Sequence, residues 1–281
     1  MGRVITRTSA CIDATITSLG MESIINRMLD ELSGDIPAES EFLGYGFAVP
    51  GLIDKQAKVW KMVSRYPRLR NFSFNHIRGA KGGVIVIERN IDSLLRYCLQ
   101  QNPSLAAGTT LLLHWGYGIA ISLASNGEIM HAPNGLFGEI GLWNVRMTAS
   151  HPKRTLEATA SLRTVLQSIG IAEDEDEPIV ARKVRRGEIH RDALEKVHSA
   201  ITAVIRNLYV TFFPVSILIL SPFVDSEEAL RLEKNLIAKP PVFANPLPGI
   251  TALDYDEVGE AVGVANEVYS EALKEYLTAS W

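Results

Sequence analysis

The chain has 281 residues, 47% hydrophobic and 21% charged, which supports a full core and argues against a disordered chain. A net charge of −4 excludes a surface that is basic throughout, although it leaves room for a local basic patch. Two cysteines, Cys11 and Cys98, exclude a disulfide framework or cysteine-based zinc site and fit a reduced, cytoplasmic protein. The longest apolar run, "VSILIL", is strand-sized, so no membrane span is expected.

The start, "MGRVITRTSA", carries neither an apolar signal core nor a recognisable domain opening, so the chain is expected to enter mid-fold. Ile24, Ile25, Met28, Leu29 and Leu32 recur at helical spacing and predict an amphipathic helix over about 19–33. "FLGYGFAV" reads as a buried strand turned by "PGLID", and "AKVWKM" as a short strand. "GGVIVIE" is the β-branched run of a parallel sheet and leads into a helix over Asp92–Gln101. "TTLLLH" and "GIAISLAS" are strands joined by "WGYG", and "NGE" closes the second as a hairpin. Helices follow near 155–168 and 190–212, with the acidic "EDEDEP" between them read as a solvated loop. "VSILIL" is a buried strand, Ser226–Ile237 a helix, and Asp256–Thr278 a long final helix. Strands alternate with helices, which gives an α/β class with mainly parallel sheets.

Glycine-bearing turns fall just after strands: "VPGLID", "WGYGIA", "NGEI" and "FGEIG". Ligands of open α/β sheets bind at the carboxyl ends of strands. The order of these turns resembles the ROK family of sugar repressors and sugar kinases, well over about 42–165 and more loosely elsewhere. "YGFAVPGLID" resembles the strand and turn before the sugar site. "VIVIERN" is similar to the Glu-Asn-Asp segment that carries the kinase base. "WGYGIAIS" resembles the phosphate loop, and "NGEIMHAPNGLFGEIGL" the hairpin and Gly-Glu-Ile-Gly-His signature. "RTLEATAS" resembles the segment bearing a second sugar-contacting Glu. The resemblance implies an actin-like, ribonuclease-H-like fold of two lobes. The first would span 1–107, truncated at its amino terminus and completed by the helix 256–281; the second would span 108–255.

The departures from the family pattern are specific. Asn90 stands in the catalytic Asp slot, and an amide does not accept a proton from a hydroxyl at neutral pH, though it can hydrogen-bond one. In the phosphate loop, around Gly116, Tyr117 and Gly118, the motif Thr is Tyr117 and a motif Gly is Ala120. The nucleotide loop appears as "ILSPFV", where Pro222 removes an N–H and Phe223 adds bulk. The leading Asp-x-Gly-x-Thr motif is missing. Leu142 replaces the zinc-binding His and the Cys cluster is gone, leaving only His151 and Glu157 as conceivable ligands, with His151 read as a surface residue. No metal and no cofactor are therefore expected.

The resemblance places Glu139 and Glu157 on sugar hydroxyls, where a carboxylate suits a vicinal diol. The plainer alternatives remain: a turn contact for Glu139, a helix first turn for Glu157, and an N-cap for Asn90. Trp60, Trp115 and Trp143 are core residues or sugar-stacking platforms. Arg65, Arg68 and Arg70 lie in a solvated loop or face an acidic ligand. The chain is thus most similar to the effector-binding domain of an N-acetylglucosamine-repressor-like or xylose-repressor-like regulator. The expectation is a non-enzymatic sensor of a sugar or sugar phosphate, a homodimer that meets DNA only through a segment outside this chain. The alternatives are a ROK sugar kinase that uses ATP on hexoses or amino sugars, and a degenerate scaffold kept for oligomerisation.

Overall fold

A computed structural model describes residues 4–37, 39–77, 83–132, 136–145, 154–171, 175–238, 247–256 and 258–279. The chain divides into two compact units: residues 1–98, 131–136 and 256–281, and residues 99–130 and 137–255.

The first unit opens with α1 (Ser18–Ser33), started by Thr17, whose side chain accepts from the Gly20 amide. β1 (Gly44–Val49) follows, then the antiparallel β2 (Leu52–Asp54), β3 (Val59–Met62) and β4 (Arg70–Ser73). β5 (Val84–Arg89) returns parallel to β1, from Gly44 opposite Val84 to Val49 opposite Arg89, and runs straight into α2 (Asn90–Gln101). The core is aromatic: Phe47 stacks on Phe74 at 4.4 Å, and Phe72 meets Phe74 edge-on at 5.0 Å.

The second unit is built on β6 (Thr109–Trp115), β7 (Ile119–Ser125) and β8 (Glu128–Ile129). The β7–β8 turn has Asn126 at φ 51° and Gly127 at φ 82°, the geometry of a two-residue hairpin. The short pair β9 (Asn144–Val145) and β10 (Arg154–Thr155) precedes α3 (Leu156–Ala160), α4 (Leu162–Ile169), α5 (Glu177–Arg185) and α6 (Arg191–Phe212). β11 (Ser216–Leu220), α7 (Ser226–Ala238) and β12 (Gly249–Ala252) complete a five-stranded sheet of order β12-β11-β6-β7-β8. Its β12, β11 and β6 are parallel, while β6, β7 and β8 are antiparallel, so the sheet is mixed. Leu111, Leu113, Ile217 and Ile219 are fully buried beneath α6, as the unbroken apolar runs of β6 and β11 require. The last element, α8 (Gly259–Ala279), packs against β1 and β5 of the first unit.

Three local readings change. The helix expected over 155–168 is two, broken at Ser161, because the Leu162 amide donates to Gly116 O at 2.8 Å instead of continuing the helix ladder. The stretch "SRYPRLRNF" is not all loop: Arg70 begins β4, and Leu69 is buried. The acidic "EDEDEP" is not simply solvated, since Glu177 begins α5 and turns its carboxylate inward.

Candidate functional site

The β6–β7 connection, Trp115-Gly116-Tyr117-Gly118, is held from several directions. Gly116 N–H donates to Gly118 O at 3.0 Å, and Trp115 Nε1 donates to Ala160 O at 2.8 Å. Ser221 Oγ donates to Trp115 O at 2.8 Å. The turn is occupied by a carboxylate of the protein itself. Glu177 Oε1 accepts from the Tyr117 amide at 2.8 Å, and Oε2 takes bonds from His114 Nε2 at 2.9 Å and Tyr255 Oη at 3.1 Å. A carboxylate only accepts, so His114 carries a hydrogen on Nε2. A Cβ on Gly116 would overlap this carboxylate, which is why glycine stands there. The Glu177 side chain is 13% exposed. Burial by itself would raise its pKa. The adjacent His114 and the bonds from His114, the Tyr117 amide and Tyr255 outweigh burial and hold it below the usual carboxylate range. The Tyr255 hydroxyl is pushed up, first by burial and then by Glu177.

The Gly138–Gly141 segment lies against β7, near Ile119 and Ile121. Gly138 takes φ 81°, and its carbonyl accepts from both the Ile121 and Ile140 amides at 2.8 Å. A side chain at Gly138 would collide with Ile121 O, so the left-handed glycine is what lets the segment lie on β7. Glu139 follows at the start of a 3₁₀ turn, half-buried, and its side chain makes no capping bond to that turn. Glu157, in the first turn of α3, places Oε2 3.0 Å from where a Cβ of Gly141 would sit and 3.9 Å from that of Gly118. The structure therefore gathers Glu157, the Glu139 segment and the Gly116–Gly118 turn in one unit.

Asn90 lies in the first unit, at the start of α2, where its amide donates to Glu260 Oε1 of α8 at 2.9 Å. Around the end of β5 sits a charged cluster that the sequence reading missed. Glu88, with no exposed side chain, accepts from Lys55 Nζ at 3.1 Å, Arg96 Nη2 at 2.8 Å and Ser93 Oγ at 2.8 Å. Burial works to raise the Glu88 pKa, but Lys55, Arg96 and the hydrogen bonds lower it below the usual range. Arg89 grips Asp92 with two bonds, at 2.9 and 2.7 Å. His131 Nε2 lies 3.3 Å from Lys55 Nζ, and its Nδ1 is 3.7 Å from Asp92. Burial and then Lys55 lower the His131 pKa, so the ring is neutral near pH 7 and accepts from Lys55.

Of the tryptophans, Trp60 and Trp115 are core residues with satisfied indole N–H groups, the former donating to Pro50 O, while Trp143 is 38% exposed. Arg70 bonds Pro67 O, and Arg65 lies over the Tyr66 ring. Phe223 is buried in the core, and its carbonyl meets His198 Nε2 at 2.9 Å. Beside Pro222, a cavity of about 250 Å³ is lined by Arg185, Ser221, Asp225, Asp254 and Tyr255. Leu142 is exposed, and His151 lies outside the described residues. Among the described residues, no group of three or more His, Cys, Asp or Glu side chains is placed to hold a metal, and no helix is long and apolar enough to cross a membrane.

No protein-family model and no curated protein sequence matches the chain. Its fold does match solved structures. A candidate N-acetylmannosamine kinase from Listeria monocytogenes aligns with a TM-score of 0.73 at 18% identity, over 96% of this chain and 92% of the other. A ROK family protein from Streptococcus pneumoniae, solved with sucrose, gives 0.68 at 18% identity over 90% and 88%. A ROK family transcriptional regulator, a homologue of the E. coli MLC protein, gives 0.68 at 14% identity over 91% and 68%. At these identities the likeness is one of fold, and the fold is the actin-like α/β fold of ROK proteins. The expectation of a chain that is not an enzyme is corrected by this set. Most of the matched structures are sugar kinases, among them a hexokinase from Thermus thermophilus and a glucokinase from Streptomyces griseus. The loss of Asp at position 90 does not by itself separate the chain from a fold that carries phosphoryl transfer.

Proposed function

We propose that the chain recognises a sugar or sugar derivative through Glu139 and Glu157. The observation that carries this reading is the Glu157 carboxylate lying against Gly141 and Gly118, in the same segment that presents Glu139. Two acids at a glycine-lined corner supply acceptors for adjacent hydroxyls, and glycine lets a ligand approach the backbone. Two of the matched proteins were solved with sucrose or glucose bound.

The finer role we favour is the sugar-sensing part of a ROK-type transcriptional regulator, cytoplasmic and dimeric, with DNA contact made by a segment outside residues 1–281. It is supported by the amide at Asn90 and by Glu177 on the Gly116–Gly118 turn. A second reading, an ATP-dependent hexose or amino-sugar kinase, is supported by the number of sugar kinases among the matched structures. One experiment separates them: a sugar panel in a thermal-shift assay, paired with ATP consumption on the same sugars. A sugar that raises the melting temperature without turnover favours sensing. Sugar-dependent turnover makes the kinase the better reading. No response to any hexose, amino sugar or sugar phosphate removes both.

A further inference from the structure

We propose that His131 is a proton-operated switch within the first unit: the neutral ring holds Lys55, and the protonated ring releases Lys55 and pairs with Asp92. The ring stands between the two side chains. Its Nε2 lies 3.3 Å from Lys55 Nζ, and its Nδ1 lies 3.7 Å from Asp92 Oδ2. An ammonium only donates, so Nε2 accepts and the neutral ring carries its hydrogen on Nδ1, on the side of Asp92. The first contact is within hydrogen-bond range, and the second is too long to be a hydrogen bond. A second hydrogen, on Nε2, would face the Lys55 ammonium and leave two donors without an acceptor. The same proton makes the ring a cation, and a shift of about 1 Å brings Nδ1–H into hydrogen-bond range of Asp92.

The surroundings set the direction of the switch. The charged groups around the ring are Lys55 from the turn after β2, Glu88 and Arg89 from β5, and Asp92 and Arg96 from α2, with Glu267 of α8 behind Arg96 at 3.0 Å. The cations Lys55, Arg89 and Arg96 are paired with the carboxylates Glu88, Asp92 and Glu267. That set balances while the ring is neutral, and a proton on His131 unbalances it. Glu88 and Asp92 are buried, whereas the His131 side chain is 36% exposed. Solvent protons therefore reach the ring without unfolding, and its partners feel the new charge where screening is weak. Burial and then Lys55 lower the ring's pKa, against the pull of Asp92 and Glu88. The His131–Lys55 contact is thus fully present above the unfolded imidazole value of about 6.5 and is lost as pH falls through the lower folded value. His131 also opens the segment 131–136, which belongs to the first unit although the chain before and after it belongs to the second. The attachment of that segment to Lys55 depends on pH. The switch is independent of the sugar reading, which concerns Glu139 and Glu157.

The test is an NMR titration of the imidazole nitrogens of the full chain from about pH 8 to about pH 5, with the His131 signals assigned by their absence from His131→Gln. The unmodified chain should show the Nδ1–H tautomer at the alkaline end and a midpoint below the ordinary imidazole value of about 6.5. At the acid end its Nδ1–H should exchange slowly with solvent, because Asp92 now accepts from it. Lys55→Met should raise the midpoint by about half a unit or more, since a like charge is gone. Asp92→Asn should lower the midpoint and remove the protection of Nδ1–H in acid. Near-UV circular dichroism establishes that each variant is folded. An Nε2–H tautomer, or a midpoint at or above about 6.5, in the unmodified chain overturns the proposal without any variant. So does a folded Lys55→Met with an unmoved midpoint, or protection in acid that survives in Asp92→Asn.

Discussion

Two buried carboxylates, Glu88 and Glu177, sit in different units and are held by different chemistry. Glu88 is flanked by the cations Lys55 and Arg96, with Ser93 as a third donor. Glu177 is held by an amide, an imidazole and a phenol. The Glu88 carboxylate neutralises charges that would otherwise be stranded, so the local fold depends on it. The donors around Glu177 need an acceptor, and its carboxylate supplies one to all three.

The largest expected effect breaks the first of these. Glu88→Ala leaves Lys55 without its carboxylate partner and Arg96 with Glu267 alone, and removing one partner of a buried pair costs about 3–5 kcal/mol. Urea unfolding should show a loss in that range. Glu177→Ala should cost about 1–3 kcal/mol, the scale of buried donors left unpaired. The contrast fails if both variants lose the same stability.

Acid sharpens the comparison further. Both carboxyls have folded-state pKa values below their ordinary ones. The stability each contributes is fully present above the unfolded carboxylate value of about 4.3 and is lost as pH falls through the folded value. Urea unfolding measured from pH 7 down to pH 3 should therefore steepen below that value. The steepening should diminish in Glu88→Gln and in Glu177→Gln. An unchanged slope in either variant would contradict the assigned direction. The smallest effect on stability belongs to Glu139→Ala. This acid is only half-buried, so the change should stay below about 1 kcal/mol.

Much of the fold was legible because its signals are local. The runs "VIVIE" and "ILIL" are β-branched and apolar enough to read as buried strands, and they are β5 and β11. Asn126-Gly127 announced its hairpin by residue type alone. The failures share one cause, partners distant in sequence. Ser161 interrupts a good helical stretch because Gly116 O claims the next amide. Glu177 looked like one more acid in a charged loop, yet its donors lie 60, 63 and 78 positions away. His131 gave no hint of Lys55 and Asp92, which meet it only after folding. The glycines of the candidate site were visible from the sequence; what fills the space above Gly116 was not.

Sugar recognition by the corner that holds Glu139 and Glu157 is tested most directly by titration calorimetry. Hexoses, amino sugars and their phosphates would be titrated into the unmodified chain, Glu139→Ala and Glu157→Ala. A hydrogen bond to a charged acceptor is worth about 1.5–3 kcal/mol. The expected result is a sugar that binds the unmodified chain and binds each folded variant about tenfold or more weakly. Equal affinity in all three proteins would place the sugar elsewhere and contradict the assignment.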